Sequence, residues 1–359
     1  MKNYTRIVIG VSKRLIASGM VVAAGLVAIT FNSSPAFGQF AGPVPLQLQN
    51  GWVGAPFATS LPTVEEVNGI VQFRGSVSSG VSPTIFSLPP SLSPSTNVII
   101  PVDLCGSTNG RLVIEPGGTV IVQAENNDFS NAQCFTSLDG ASFALNANGF
   151  TPLTLINGWT NAASFTSNAA VKKINGLVHF KGAIANGTND QPFVLPAGFR
   201  PLTDVLVNVD LCDSTKGRLH IFSSGTVFIE PENGAFSNAQ CFTSLDGAFF
   251  APANTGFQPL TLINAWTNAP DFTASAKVTS AYGIVSFKGA IAGGKTAFPF
   301  TLPPAFSPVT DVYIPLDLSF AHKGRLHIQP NGVVDIEEEG GGLFNANAFT
   351  SLEGVSFVQ

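Results

Sequence analysis

Between residues 151 and 257 apolar and polar side chains alternate in short runs that stop at glycine, proline or asparagine. Pro152 to Ile156 alternates and ends at Asn157-Gly158, which predicts a first strand. The mostly apolar run Leu177 to Ile184 predicts a second, Phe193 to Leu195 a third that ends at Pro196, and Val205 to Leu211 a fourth. Arg218 to Phe222 and Thr226 to Glu230 alternate on either side of Ser223-Ser224-Gly225, the pattern of a hairpin. Cys241 to Phe250 predicts a final strand, and no stretch carries a convincing helical period.

The same pattern occurs three times. Trp52, Trp159 and Trp266 are 107 residues apart, as are Arg111, Arg218 and Arg325. The strings F-T-S-L-D-G (Phe135 to Gly140), F-T-S-L-D-G (Phe242 to Gly247) and F-T-S-L-E-G (Phe349 to Gly354) keep that interval. The hairpin turn also recurs, at Pro116-Gly117-Gly118 and Pro330-Asn331-Gly332, so a glycine at one fixed position points to a required positive φ. A repeat of this length exceeds a solenoid unit and can bury its own core. The expected fold is therefore all-β: three tandem antiparallel β-sandwich, jelly-roll-like modules at 44–150, 151–257 and 258–359, joined by short linkers.

Residues 1–38 have the form of a secretory signal peptide. They carry Lys2, Arg6, Lys13 and Arg14 with no acid, then an apolar run from Leu15 to Phe31 and small residues before a cut after Gly38. Residues 39–43 then lead the mature chain, which is expected to be secreted or held at the cell surface, with no transmembrane segment. Only 11% of the residues are charged, and loss of the leader moves the net charge from -5 to -9. An acidic mature chain is a poor partner for nucleic acid or anionic membrane.

Cys105 and Cys134 recur as Cys212 and Cys241, whereas the third copy has Ser319 and Ala348. Both members vanish together, as a bonded pair predicts, so Cys105–Cys134 and Cys212–Cys241 are expected disulfides. Two cysteines without an accompanying histidine do not make a zinc shell, and no metal or other cofactor is expected. There is no H-E-x-x-H, G-x-S-x-G, P-loop or C-x-x-C, so no catalytic set and no enzyme is expected. His220 and His327 are equivalent, but Val113 stands in the first copy, which suggests a structural position.

Asp103, Asp210 and Asp317 each precede Arg111, Arg218 or Arg325 by eight residues. Such arginines are candidates for binding a polar ligand. The plainer reading is an ion pair across two neighbouring strands of one copy. Asp139, Asp246 and Glu353 precede a glycine and read as turn formers, and Glu337-Glu338-Glu339 reads as a solvated loop. Trp52, Trp159 and Trp266 are candidates for stacking on a sugar face, or else plugs at the rim of the sandwich. The copies differ most over Val53 to Glu65, Asn186 to Gln191 and Ala292 to Thr296, which are loops suited to ligand contact.

The ordered set L-T-L-I-N-G-W-T (Leu153 to Thr160), N-G-L-V-H-F-K-G (Asn175 to Gly182), L-P-A-G-F-R-P (Leu195 to Pro201), G-R-L-H-I (Gly217 to Ile221) and S-L-D-G (Ser244 to Gly247) resembles the carboxy-terminal modules of phage tail fibres and minor tail structural proteins. Related modules occur in bacterial surface or secreted proteins. The resemblance implies a β-sandwich head, often trimeric, that attaches to a receptor or glycan. The expected function is a secreted or cell-surface, non-catalytic binding protein for a glycan or surface receptor. An extracellular structural or assembly component is the alternative, and a polysaccharide-active hydrolase a more distant one. The short joints permit beads in a row or three packed copies; since related heads are often trimers, a monomeric pseudo-trimer is one expectation, with an extended rod or a homo-oligomer as the alternatives.

Overall fold

The computed structural model describes residues 42–162, 165–268 and 272–359; the expected leader, and the cut expected after Gly38, lie outside them. The chain is all-β and its sheets are antiparallel, with three short α-helices among the described residues. In the second copy one sheet has the strand order Thr151–Pro152, Ala170–Ile174, Leu177–Lys181, Phe249–Phe250. A second sheet has the order Phe193–Val194, Thr226–Pro231, Lys216–Ile221, Val205–Asp210. A bridge between Leu211 and Thr243 joins it to a small sheet of Thr160–Asn161, Ala183–Ala185 and Thr243–Ser244. The first copy repeats these orders. In the third the last two sheets fuse into one of six strands, because Val312–Leu318 pairs with Thr350–Ser351 at two positions.

Alternation decides which side chains enter the core. In the hairpin Lys216–Ile221 and Thr226–Pro231, Leu219, Ile221, Val227 and Ile229 point inward, where they meet Phe180 and Phe250. Arg218, His220 and Glu230 take the opposite face. The single apolar run from Leu177 to Ile184 serves two sheets, because Gly182 breaks it at φ 92°. A Cβ there would lie 2.4 Å from the Asn168 carbonyl, so neither the conformation nor the space admits another residue. The hairpin glycines Gly118, Gly225 and Gly332 have φ of 86°, 92° and 84°, as the fixed turn position predicts.

Two elements depart from the sequence pattern. The segment expected as a final strand instead begins with the end of a helix, Phe236–Cys241, followed by the short strands Thr243–Ser244 and Phe249–Phe250. Its counterparts are Phe129–Cys134 and Phe344–Ala348. Five or six residues are too few to display a 3.6-residue period, and capping differs between copies: Asp128 accepts from the Ser130 amide in the first, and Glu338 from the Asn345 and Ala346 amides in the third. The strand Ala170–Ile174 has no clear pattern in the sequence because Lys172 and Lys173 interrupt its apolar run.

The three copies close on one another through the same interface used three times. Arg111 reaches Asp210 at 3.0 Å, Arg218 reaches Asp317 at 3.1 Å, and Arg325 returns to Asp103 at 3.1 Å. The serine hydroxyls follow the same cycle: Ser137 donates to the Tyr313 carbonyl, Ser244 to Ile99 and Ser351 to Leu206. Parallel bridges Asn97–Thr166, Asp204–Thr273 and Thr59–Asp311 complete the set. The strands Val98–Asp103, Val205–Asp210 and Val312–Leu318 all contact one another and so line a common pseudo-threefold axis. A head-to-tail interface of this kind makes a closed ring when its rotation closes, and here it closes within one chain.

At one end of the ring the equivalent residues Glu125, Glu232 and Glu339 converge on Lys323, with carboxylate oxygens 2.5, 3.2 and 3.2 Å from its ammonium. Burial acts to lower the pKa of Lys323, and the bond to Glu125 with the charges of Glu232 and Glu339 outweighs it and holds the group well above its usual range. Loss of Lys323 would leave three carboxylates from three copies facing one another uncompensated, so this one ammonium links the copies.

Candidate functional site

The expected disulfides are present: Cys105–Cys134 and Cys212–Cys241, each with a Cα–Cα distance of 5.7 Å. Each ties the turn after an axial strand to the end of the short helix. In the third copy Ser319 and Ala348 take these places, and the Ser319 amide donates to the Phe349 carbonyl at 3.0 Å. A backbone hydrogen bond and the extended pairing of Val312–Leu318 thus hold what a covalent bond holds elsewhere.

Trp52, Trp159 and Trp266 lie inside the sandwiches, 5%, 4% and 5% exposed. Their indole N–H groups donate to the carbonyls of Ser82, Asn189 and Thr296 at 2.8, 2.8 and 2.9 Å. Gly80, Gly187 and Gly294 lie so close to the rings that a Cβ would approach within 2.0 Å. Each tryptophan is thereby a post that fixes a loop, and in the second and third copies those loops are the variable ones. The ring faces are taken up by protein.

The arginines are not paired within a copy. The strand register sets Pro101 opposite Arg111 and Asn109 opposite Asp103, so the expected partner across the hairpin is absent and the aspartate of the next copy supplies it. Asp139, Asp246 and Glu353 stand in turns with the glycines that follow them, as expected. All three are buried and accept the amides of Gly75, Gly182 and Gly289 at 2.9 Å. Burial pushes Asp139 up to about 7 and Asp246 to about 6, against the opposing pull of these amides and of Lys181 beside Asp246. Glu337, Glu338 and Glu339 are not a solvated loop: Glu337 pairs with Arg325, Glu338 caps a helix, and Glu339 faces Lys323.

Beside two of the arginines runs a charge ladder that the sequence pattern did not single out. His220 Nδ1 lies 2.9 Å from Glu230, its Nε2 3.9 Å from Asp204, and Arg218 bridges Glu230 to Asp317. The third copy repeats it: His327 stands 3.2 Å from Asp311 and 3.4 Å from Glu337, which meets Arg325. Burial acts to raise Glu230, but His220 and Arg218 prevail and bring it down to about 2. In the first copy Asn97, Val113 and Gln123 replace the aspartate, histidine and glutamate together. That joint loss was the available signal, and the lone Val113 concealed it.

Where the second copy meets the third, the ladder borders an open groove of about 730 Å³. Asn189 and Asp190 of the variable loop, Arg218, Glu230 and Asn233 supply polar groups along it, and Phe236 and Phe320 supply rings. Phe320 is 77% exposed. Trp159 holds the Asn189 carbonyl and Asp190 accepts the Ile229 amide at 2.8 Å, so the loop wall is anchored to the sandwich. At the junction of the third copy with the first, the counterpart is a smaller aromatic recess in which Arg325 lies 4.7 Å over the Tyr313 ring.

Glu232, His322 and Glu339 come close enough to hold a metal ion, as do His327, Asp335 and Glu337. Lys323 already neutralises the first set and Arg325 the second, and a cation entering either would meet a fixed positive charge. Among the described residues no helix is long and apolar enough to cross a membrane. No family model matches the chain, and neither the curated proteins nor the solved structures show a detectable relative.

Proposed function

We propose that the chain is an exported, non-catalytic binding protein that takes a glycan or surface receptor in the groove between its second and third copies. The observation that carries this reading is the make-up of that groove: the amide and carboxylate of Asn189 and Asp190 on an anchored loop, the strand residues Arg218 and Glu230, and the exposed ring of Phe320. Paired carboxylates and amides suit vicinal hydroxyls, and an aromatic face suits the C–H face of a sugar. The resemblance to fibre modules fits a single-chain counterpart of a trimeric attachment head, with each binding groove shared by neighbours.

The test is binding of the purified mature chain to a glycan panel and to whole cells. Phe320→Ala and Asp190→Asn are expected to weaken binding tenfold or more without changing thermal stability. No binding, or binding indifferent to both substitutions, overturns the proposal. One observation favours the alternative of an extracellular assembly component: Phe57, Phe165 and Phe272, on corresponding loops, are 60%, 50% and 88% exposed. Self-association of the ligand-free chain, abolished when these three are replaced, would favour it.

A further inference from the structure

At the end of the ring opposite Lys323 in the strand order, three turns carry Asn68-Gly69, Asn175-Gly176 and Tyr282-Gly283. Asn68 and Asn175 are joined by a hydrogen bond of 2.9 Å, whereas Tyr282 is 59% exposed. The strands that follow, Ile70–Arg74, Leu177–Lys181 and Ile284–Lys288, place Gln72, His179 and Ser286 at one equivalent position. These three are 7%, 8% and 4% exposed, and all line a single cavity of about 580 Å³. Among the described residues none of their side chains has a hydrogen-bond partner in the protein; His179 only stacks on Phe249. The remaining walls are largely apolar, including Ile70, Leu177, Phe249, Phe257 and Ile284.

The cavity has a specific origin. Between the first and second copies the corresponding space is filled by Ile70, Ala144, Ile174 and Phe150. Between the second and third, Ala281 stands where Ile174 stands, and the lost side-chain volume opens the chamber. Three polar side chains at one equivalent position, one from each copy, thus face a single, largely apolar space, the make-up of a small-molecule site.

We propose that this chamber binds a neutral, predominantly apolar small molecule carrying one hydroxyl or carbonyl group, which Gln72, His179 and Ser286 receive. Each of the three offers both a donor and an acceptor, which suits a hydroxyl or carbonyl. No acid lines the chamber, and its one lysine, Lys173, is exposed. Burial lowers His179 to about 4, so the imidazole meets its ligand uncharged at neutral pH. The site is separate from the groove beside Phe320.

The experiment is calorimetric titration of the mature chain with 2-naphthol, naphthalene and 2-naphthoate, alongside the His179 imidazole signals in NMR. The expected result is saturable 2-naphthol binding at one site, at least tenfold tighter than naphthalene or 2-naphthoate, with the His179 signals shifted. Ala281→Ile, which installs the residue found at position 174, is expected to weaken binding at least tenfold, and Phe320→Ala to leave it unchanged. Absence of saturable binding means that the chamber holds only water, and overturns the proposal. Binding unaffected by Ala281→Ile overturns it too, and if that variant does not fold, binding that leaves the His179 signals unmoved does the same.

Discussion

Buried acids make the pH behaviour of this chain legible one residue at a time. Asp139 keeps its proton up to about pH 7 because burial outweighs the Gly75 amide and Arg74, and its second carboxylate oxygen has no partner. An unfolded aspartate titrates near 4, so between roughly pH 4 and 7 the folded chain holds the extra proton and stability falls as pH rises. Asp139→Asn keeps an acceptor for the Gly75 amide and removes this proton. Denaturant titrations should show the variant gaining on the parent by up to about 1.4 kcal/mol per pH unit across that window, with no gain below pH 4. An identical pH slope in both proteins would mean that Asp139 is ionised when folded. The same residue shows where reading a sequence stops: aspartate before glycine is a turn signal, and only the packing of the repeat reveals that it is buried. Trp159 is parallel, since its spacing marks importance but cannot distinguish a sugar platform from a post under a loop.

At the level of elements, hairpins, turn glycines and disulfides followed from alternation and from comparing the copies, because each is a local or paired signal. Strand Ala170–Ile174 and the helices of five or six residues did not, since two lysines hid the one and shortness the others. The disulfides give a prediction that the copies test against each other. Each closes a loop worth roughly 3–4 kcal/mol in the chain-entropy model, while the third copy relies on the Ser319–Phe349 hydrogen bond. Under mild reduction, hydrogen exchange should quicken within 105–134 and 212–241 and stay constant within 319–348. Uniform acceleration across all three would show that the bonds support the ring as a whole. The charge ladder is also an affair of elements, since Asp204, His220 and Glu230 come from three different segments and meet only when the hairpin folds. Their joint replacement by Asn97, Val113 and Gln123 is visible in the sequence once the three positions are known to touch.

For the whole molecule the repeat predicted three sandwiches, but not what each face does. The arginine–aspartate pairs are eight residues apart in every copy, which suggested a bond within a copy; in three dimensions each pair links neighbours and the cycle ends where it began. Both candidate binding spaces are products of that closure, for the groove and the chamber lie at junctions between copies and neither exists in one alone. Unequal residues at equivalent positions then give each junction its own chemistry, as Ala281 opposite Ile174 illustrates. Closure between the first and third copies is thus the central claim. Ser60 and Thr310, 250 residues apart, have hydroxyl oxygens 2.6 Å from each other across that junction. The most direct measurement is oxidation of the Ser60→Cys/Thr310→Cys variant at low protein concentration, followed by mass spectrometry. The closed ring predicts a disulfide between these positions within a single chain, formed with the native bonds intact; free thiols, or a bond found only between chains, would contradict it.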